Sequence, residues 1–263
     1  SEEILEESEI RARSVFATIQ TMSTVTSTIA LTMNATWPFV ILPQFELWAG
    51  GLSLALTGAH ALSFGVLVEE AQREEWANFS QVHASVWIEE SLRHYKQVVL
   101  PDSEDGQTEA ISDHEGQEHV LVVDSEEEES SEAFDISDVR DIPVIHHVWK
   151  YDPAGEYKLE DAKGTAAVSW QVTPVRPSTV NYNDFNSPSF ATAFEGMQKD
   201  RRPILSDIID GGHYSLLLQP ASRDLAEDAA SDTAVYFKAE LPWKTYFQLL
   251  LPAGQTDISI EVK

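Results

Sequence analysis

The residues able to do chemistry in this chain do not assemble into a known motif. No phosphate-binding loop, dinucleotide fingerprint, HExxH or nucleophile elbow occurs in its 263 residues. There is no cysteine, which removes disulfides, zinc–thiolate sites, iron–sulfur clusters and thiol catalysis together. His146 and His147 are adjacent in a strand-like run, so they point to opposite faces and cannot share one metal. Asp207 and Asp210 are three apart in what reads as a short helix, where a solvated pair is the simpler reading. No catalytic residue, metal ligand or cofactor is assigned. What remains is an aromatic stock of seven Trp and seven Tyr, side chains whose polar handles suit a ligand pocket as well as a core.

Charge narrows the partners. The formal net charge is -27, with 17 basic against 44 acidic residues, which repels a phosphate backbone and an anionic membrane surface. Nucleic acid is excluded as a partner. Residues 101–141 hold 16 of the acids and one base, Arg140; so charged a stretch reads as a disordered insert, with weak cation collection as its functional alternative. The chain's 43% of apolar residues suffice for a core. No apolar run approaches the ~20 residues of a membrane span, and the opening SEEILEE has no signal-peptide pattern, so a soluble piece is expected. Asn34-Ala-Thr36 and Asn78-Phe-Ser80 are glycosylation sequons that permit export.

The elements that would position these residues begin with a long helix. Glu3 to Met33 contains no Pro or Gly, and Val15, Ile19, Met22, Val25, Ile29 and Met33 recur at three- and four-residue steps. Its many threonines are mediocre helix formers, so the helix needs a packing partner, either its own domain or a second copy. Trp37-Pro38 is expected to end it. Phe39–Leu47 and His60–Val68 read as strands, and Glu69–Lys96 as a helix with Trp76, Phe79, Val82, Val86 and Leu92 on its apolar side. Ile142–Tyr151 and Ala166–Thr173 read as strands, and Pro174 to the NYNDFNSPS stretch as a linker. Ser189–Lys199 and Leu205–Asp210 read as helices, His213–Gln219 and Thr233–Leu241 as strands. A helix over 243–251 and a strand over 257–262 close the chain. The order predicts an α+β fold of antiparallel sheets: a spine helix over 1–36, a PAS-like module over 37–180 and a second over 181–263.

The run TWPFVILPQFE (36–46) resembles a motif in the extracellular domains of receptor-type nucleotide cyclases of diatoms and related algae. So do FGVLVEEAQREEWANFSQVHASVWIEE (64–90), PVIHHVWKYDPAG (143–155), SWQVTPVRPSTVNYN (169–183), ILSDIID (204–210), YSLLLQP (214–220) and AELPWKTYFQLLLPAGQTDISIEV (239–262). The resemblance implies an ectodomain between two flanking transmembrane helices, regulating a cytoplasmic nucleotide cyclase (guanylate or adenylate) whose catalytic residues lie outside this chain. The element order resembles CHASE and dCache sensors, which implies a homodimer through the N-terminal helix and an unknown small-molecule or peptide ligand in the membrane-distal module. On that implication the ligand-binding candidates are Trp149, Trp170, Gln171, Tyr182, Asn183 and Ser206. Trp170 is the preferred wall, because so large a ring in a strand of small residues must fill the core or line a gap. Gln171 beside it points the other way unless a bulge intervenes. The competing reading is a protein-interaction or structural module with no small-molecule ligand.

Overall fold

In the computed structural model, which describes residues 2–53, 57–99, 142–209, 214–221 and 235–243, the first helix is α1 (Glu2–Thr32), 31 residues or ~46 Å long. Its end is set before Trp37. Asn34 sits in the left-handed region at φ 51°, while Ala35 N–H reaches Ala30 O at 2.9 Å and Asn34 N–H reaches Leu31 O at 3.1 Å. That is a Schellman cap, in which asparagine replaces the usual glycine.

The buried stripe of α1 is Val15, Ile19, Met22, Ser23, Thr26, Ser27 and Ala30. It packs into the chain's own core, against the sheet, and Ser23 Oγ–H donates to Pro220 O at 2.8 Å. Val25 and Met33, expected on this stripe, are 39% and 56% exposed. The stripe is narrower and more polar than the apolar spacing suggested. Thr18, Thr21, Thr24, Thr28 and Thr32 each turn the hydroxyl back onto the carbonyl four residues earlier, which satisfies it within the helix.

Among the described residues seven strands follow: β1 (Ala61–Val68), β2 (Trp149–Tyr151), β3 (Tyr157–Leu159), β4 (Ala166–Thr173), β5 (Ile204–Leu205), β6 (Tyr214–Ala221) and β7 (Val235–Pro242). Five of them form one antiparallel sheet in the order β4-β1-β7-β6-β5, and β2 and β3 pair as a hairpin. The first and last of the five, β1 and β7, are neighbours at its centre. This sheet crosses the boundary expected at residue 181. Strands from both expected modules share it, Phe64 of β1 standing opposite Phe237 of β7 with ring centroids 5.7 Å apart. The two halves therefore do not form separate sheets.

One sheet face is covered by α1 and by α2 (Arg73–Val99), the other by α3 (Pro188–Asp200). On α2 the buried positions are Trp76, Ala77, Ser80, Ala84, Trp87, Ile88, Ser91 and Leu92, whereas Val82 and Val86 are 64% and 61% exposed. The expected apolar side was thus rotated from the true one. Under α3, Phe190, Phe194 and Met197 pack on Leu216, Leu218 and Tyr236. Gly65 of β1 leaves room for Tyr236, since a Cβ there would stand 2.1 Å from the ring.

The expected strand over 39–47 is absent. Residues 39–42 run beside β4 without joining the ladder, and a π-helix, Glu46–Ser53, follows. The expected linker is built into the fold as two 3₁₀ turns, Pro177–Thr179 and Asp184–Asn186, with buried Asn181, Asn183 and Asp184. Of the helix expected over 205–210, Ile204–Leu205 is instead a strand. The acidic segment 101–141, the β6–β7 connection, Asp210, and the elements expected over 244–251 and 257–262 lie outside the described residues.

Candidate functional site

The π-helix starts one of the few polar interruptions of an apolar run. Gln44, at φ 54°, offers its carbonyl to Leu47 N–H at 3.0 Å and Trp48 N–H at 3.3 Å, and this turn carries Glu46 into the interior. Glu46 is only 5% exposed. Thr173, at the end of β4, donates its hydroxyl to Glu46 Oε1 at 2.7 Å, while Oε2 is buried without a hydrogen-bond partner. Burial pushes the carboxyl up to about 7, against a lowering by the Thr173 hydrogen bond. Gly50, one turn on, makes this pairing possible: a Cβ would lie 2.5 Å from Thr173 Oγ1 and 2.7 Å from Glu46 Oε1.

Glu46 lines an open cleft of about 420 Å³ with Gln44, Leu47, Glu90, Arg93 and His94. The last three come from α2, which packs against the π-helix. Residues carrying two carboxylates, a guanidinium, an imidazole and an amide thus line one space, and π-helical turns are frequent at functional sites. None of these residues was singled out from the sequence. The available signal was Glu46 itself, a carboxylate embedded in WPFVILPQFELWA.

The six sequence candidates are placed elsewhere. Trp170 is 1% exposed and packed among Trp76, Phe79 and Trp87, with its indole N–H on Val40 O at 2.9 Å. It fills core and is no part of the cleft lining. A bulge does intervene: the β1–β4 register shifts between Phe64 and Gly65, which face Gln171 and Ser169. Gln171 consequently joins Trp170 on the 40–42 segment, accepting from Leu42 N–H at 2.8 Å and donating to Leu42 O at 3.1 Å.

Trp149, Tyr182 and Asn183 come together at the β2–β3 hairpin. The Trp149 ring lies 5.0, 5.7 and 5.1 Å from those of Tyr151, Tyr157 and Tyr182, and its N–H donates to Val180 O at 2.8 Å. Asn183 Oδ1 accepts from Ala167 N–H, and its Nδ2 donates to Glu160 Oε2 at 2.6 Å. Burial alone would raise Glu160, but donors from Asn183, the Ala162 N–H, Lys150 and Asn186 outweigh it and hold the carboxyl at about 2. Ser206 is at the far sheet edge, accepting from Leu216 N–H at 2.9 Å and donating to Asp207 O at 2.7 Å. These groups are occupied in holding the fold. Asn34 and Asn78 are exposed.

A second buried polar group underlies α3. Asp184 accepts from Lys238 Nζ at 2.7 Å, Tyr236 OH at 2.7 Å and Ser169 Oγ at 2.8 Å. Every charge there has its partner, so the cluster serves as an internal tie between β4, β7 and the 181–186 turn. The chain matches no family model and no curated protein. No helix among the described residues is long and apolar enough to cross a membrane.

Proposed function

We propose that this chain is a ligand-sensing domain, the ectodomain of a membrane receptor that regulates a nucleotide cyclase elsewhere in its protein. The observation carrying the sensing part is the polar cleft and its connection inward. Glu46 joins a solvent-open space to Thr173 at the end of β4, so occupation of the cleft acts directly on a central sheet. A volume of about 420 Å³ suits a small molecule. The receptor setting rests on the resemblance alone. The five-stranded antiparallel sheet, helices on both faces and long leading helix favour one PAS-like module rather than two. Pairing of two receptors along α1, part of the same reading, falls to the outward side of that helix, where Ile10, Val25 and Leu31 are exposed, because the opposite side is used by the sheet.

A thermal-shift screen of small metabolites, peptides and ions tests the sensing role. A ligand at about 100 times its Kd stabilises the fold by about 2.7 kcal/mol, and the shift should be lost when cleft residues are replaced. A second reading, a protein-docking module, is favoured by the hairpin, where Tyr151, Tyr157 and Leu159 are 53%, 47% and 50% exposed as an apolar patch. A screen with no stabilising compound, alongside protein binding abolished by Tyr157→Ala, would favour that reading.

A further inference from the structure

The cleft's chemistry narrows its ligand. We propose that it binds small molecules bearing a primary ammonium group, seated between Glu46 and Glu90, with Arg93 receiving a carboxylate where the ligand carries one. This deepens the sensing reading and rests on it. The first ground is the unsatisfied Oε2 of Glu46, a buried oxygen on a residue that lines the cleft. Ionised, it lacks a donor; protonated, it lacks an acceptor. Either state leaves a cost of about 1–3 kcal/mol that a partner from outside the chain removes.

The second ground is charge. Two carboxylates and one guanidinium line the space on a chain of net charge -27, which disfavours a simple anion. A metal ion is the poorer cation, since no group of three His, Asp or Glu suited to one exists among the described residues. An ammonium supplies three N–H donors and the charge that lets a buried carboxylate ionise. Glu90, Arg93 and His94 form no ion pair or hydrogen bond with the described residues, so they are open to a ligand.

Ionisation gives a second readout. With the Glu46 carboxyl at about 7, seating an ammonium releases a proton, and affinity falls as the pH drops from about 8 to about 6. Thr173 of β4 bonds Glu46, and the titratable groups that share the cleft lining with it are Glu90, Arg93 and His94 of α2, so His94→Gln separates any contribution of the imidazole.

The test is calorimetric titration of the whole chain with 1,4-diaminobutane, alanine, N-acetylalanine and propionate. We expect the two amines to bind and the two acids lacking an ammonium not to. Glu46→Gln keeps an oxygen for Thr173, so it should fold; it and the surface variant Glu90→Gln should each weaken the amines at least about tenfold. Glu46→Gln should also abolish the pH dependence, which His94→Gln should leave. Arg93→Ala separates the sources: weakening of alanine alone marks an amino-acid site, and no effect on either marks a di- or polyamine site. N-acetylalanine binding as well as alanine, or amines unaffected by both Gln variants, would overturn the ammonium assignment while leaving the sensing role standing. If neither amine binds and no compound of the thermal-shift screen stabilises the chain, both fall together.

Discussion

Glu46 is a residue whose environment opposes its charge, and its effect on stability has a definite sign. The folded carboxyl titrates at about 7 against an ordinary 4.5. Below about 4.5 it is protonated in both states and adds no pH dependence. As pH rises through the window from about 4.5 to about 7 the unfolded chain ionises first, so stability falls, and it stays lower above the window. Glu46→Gln should flatten this part of a melting-temperature profile and stabilise the chain at pH 8, by on the order of 1–3 kcal/mol. A variant profile parallel to that of the parent would show that the carboxyl is not the group responsible. Trp170 gives the opposite case. Reading it as a core filler or a gap wall was open from sequence; three aromatic neighbours settle it as filler, and Trp170→Ala should cost about 3–5 kcal/mol without altering ligand binding by the cleft. The Gln171 conflict was legible too, because strand alternation allows both side chains on one side only through a bulge. That the bulge exists was not legible, since it is fixed by Gly65 and its partner strand.

At the scale of elements, the periodicity identified both long helices and lost their orientation. On α1 and α2 the buried stripes include Ser23, Thr26, Ser27, Ser80 and Ser91, small polar residues that permit close approach and that an apolar count passes over. Ser80, for instance, accepts from Asn181 Nδ2 at 2.7 Å, a bond made across the fold. Val25, Val82 and Val86 were drawn onto the stripes by hydrophobicity alone. Ile19→Asp, at a fully buried position, should therefore destabilise by several kcal/mol, and Val25→Asp by less than about 1 kcal/mol, both measured by urea unfolding. Equal losses would mean that the outward side of α1 is covered. The 39–42 segment was misread as a strand for a related reason. Its residues alternate in burial, yet on the side of β4 the groups that bond Val40 O and the Leu42 backbone are the Trp170 indole and the Gln171 amide, side chains standing in for a neighbouring strand.

For the whole molecule, the sequence shows where strands and helices fall and hides which strands are neighbours. β1, β4, β6 and β7 were each readable to within about two residues, but a linker rich in Pro and Asn marked a boundary that the sheet ignores. Those prolines and asparagines serve a buried turn: Asn181, at φ 65°, accepts from the Trp76 indole at 2.9 Å and donates to Ile145 O at 2.7 Å. The division at residue 181 cuts through this turn and separates β7 from β1. A fragment of residues 181–263 would leave one edge of β7 unpaired, strip Phe237 of Phe64, and part the Asp184–Lys238 pair from Ser169, leaving a buried ion pair short of a hydrogen bond. We expect that fragment to show no cooperative thermal transition and little dispersion in its amide NMR spectrum. The whole chain should unfold in a single calorimetric transition with matching van't Hoff and calorimetric enthalpies. A fragment that melts cooperatively, or a whole chain that melts in two resolved steps, would restore two independent modules in place of the shared sheet.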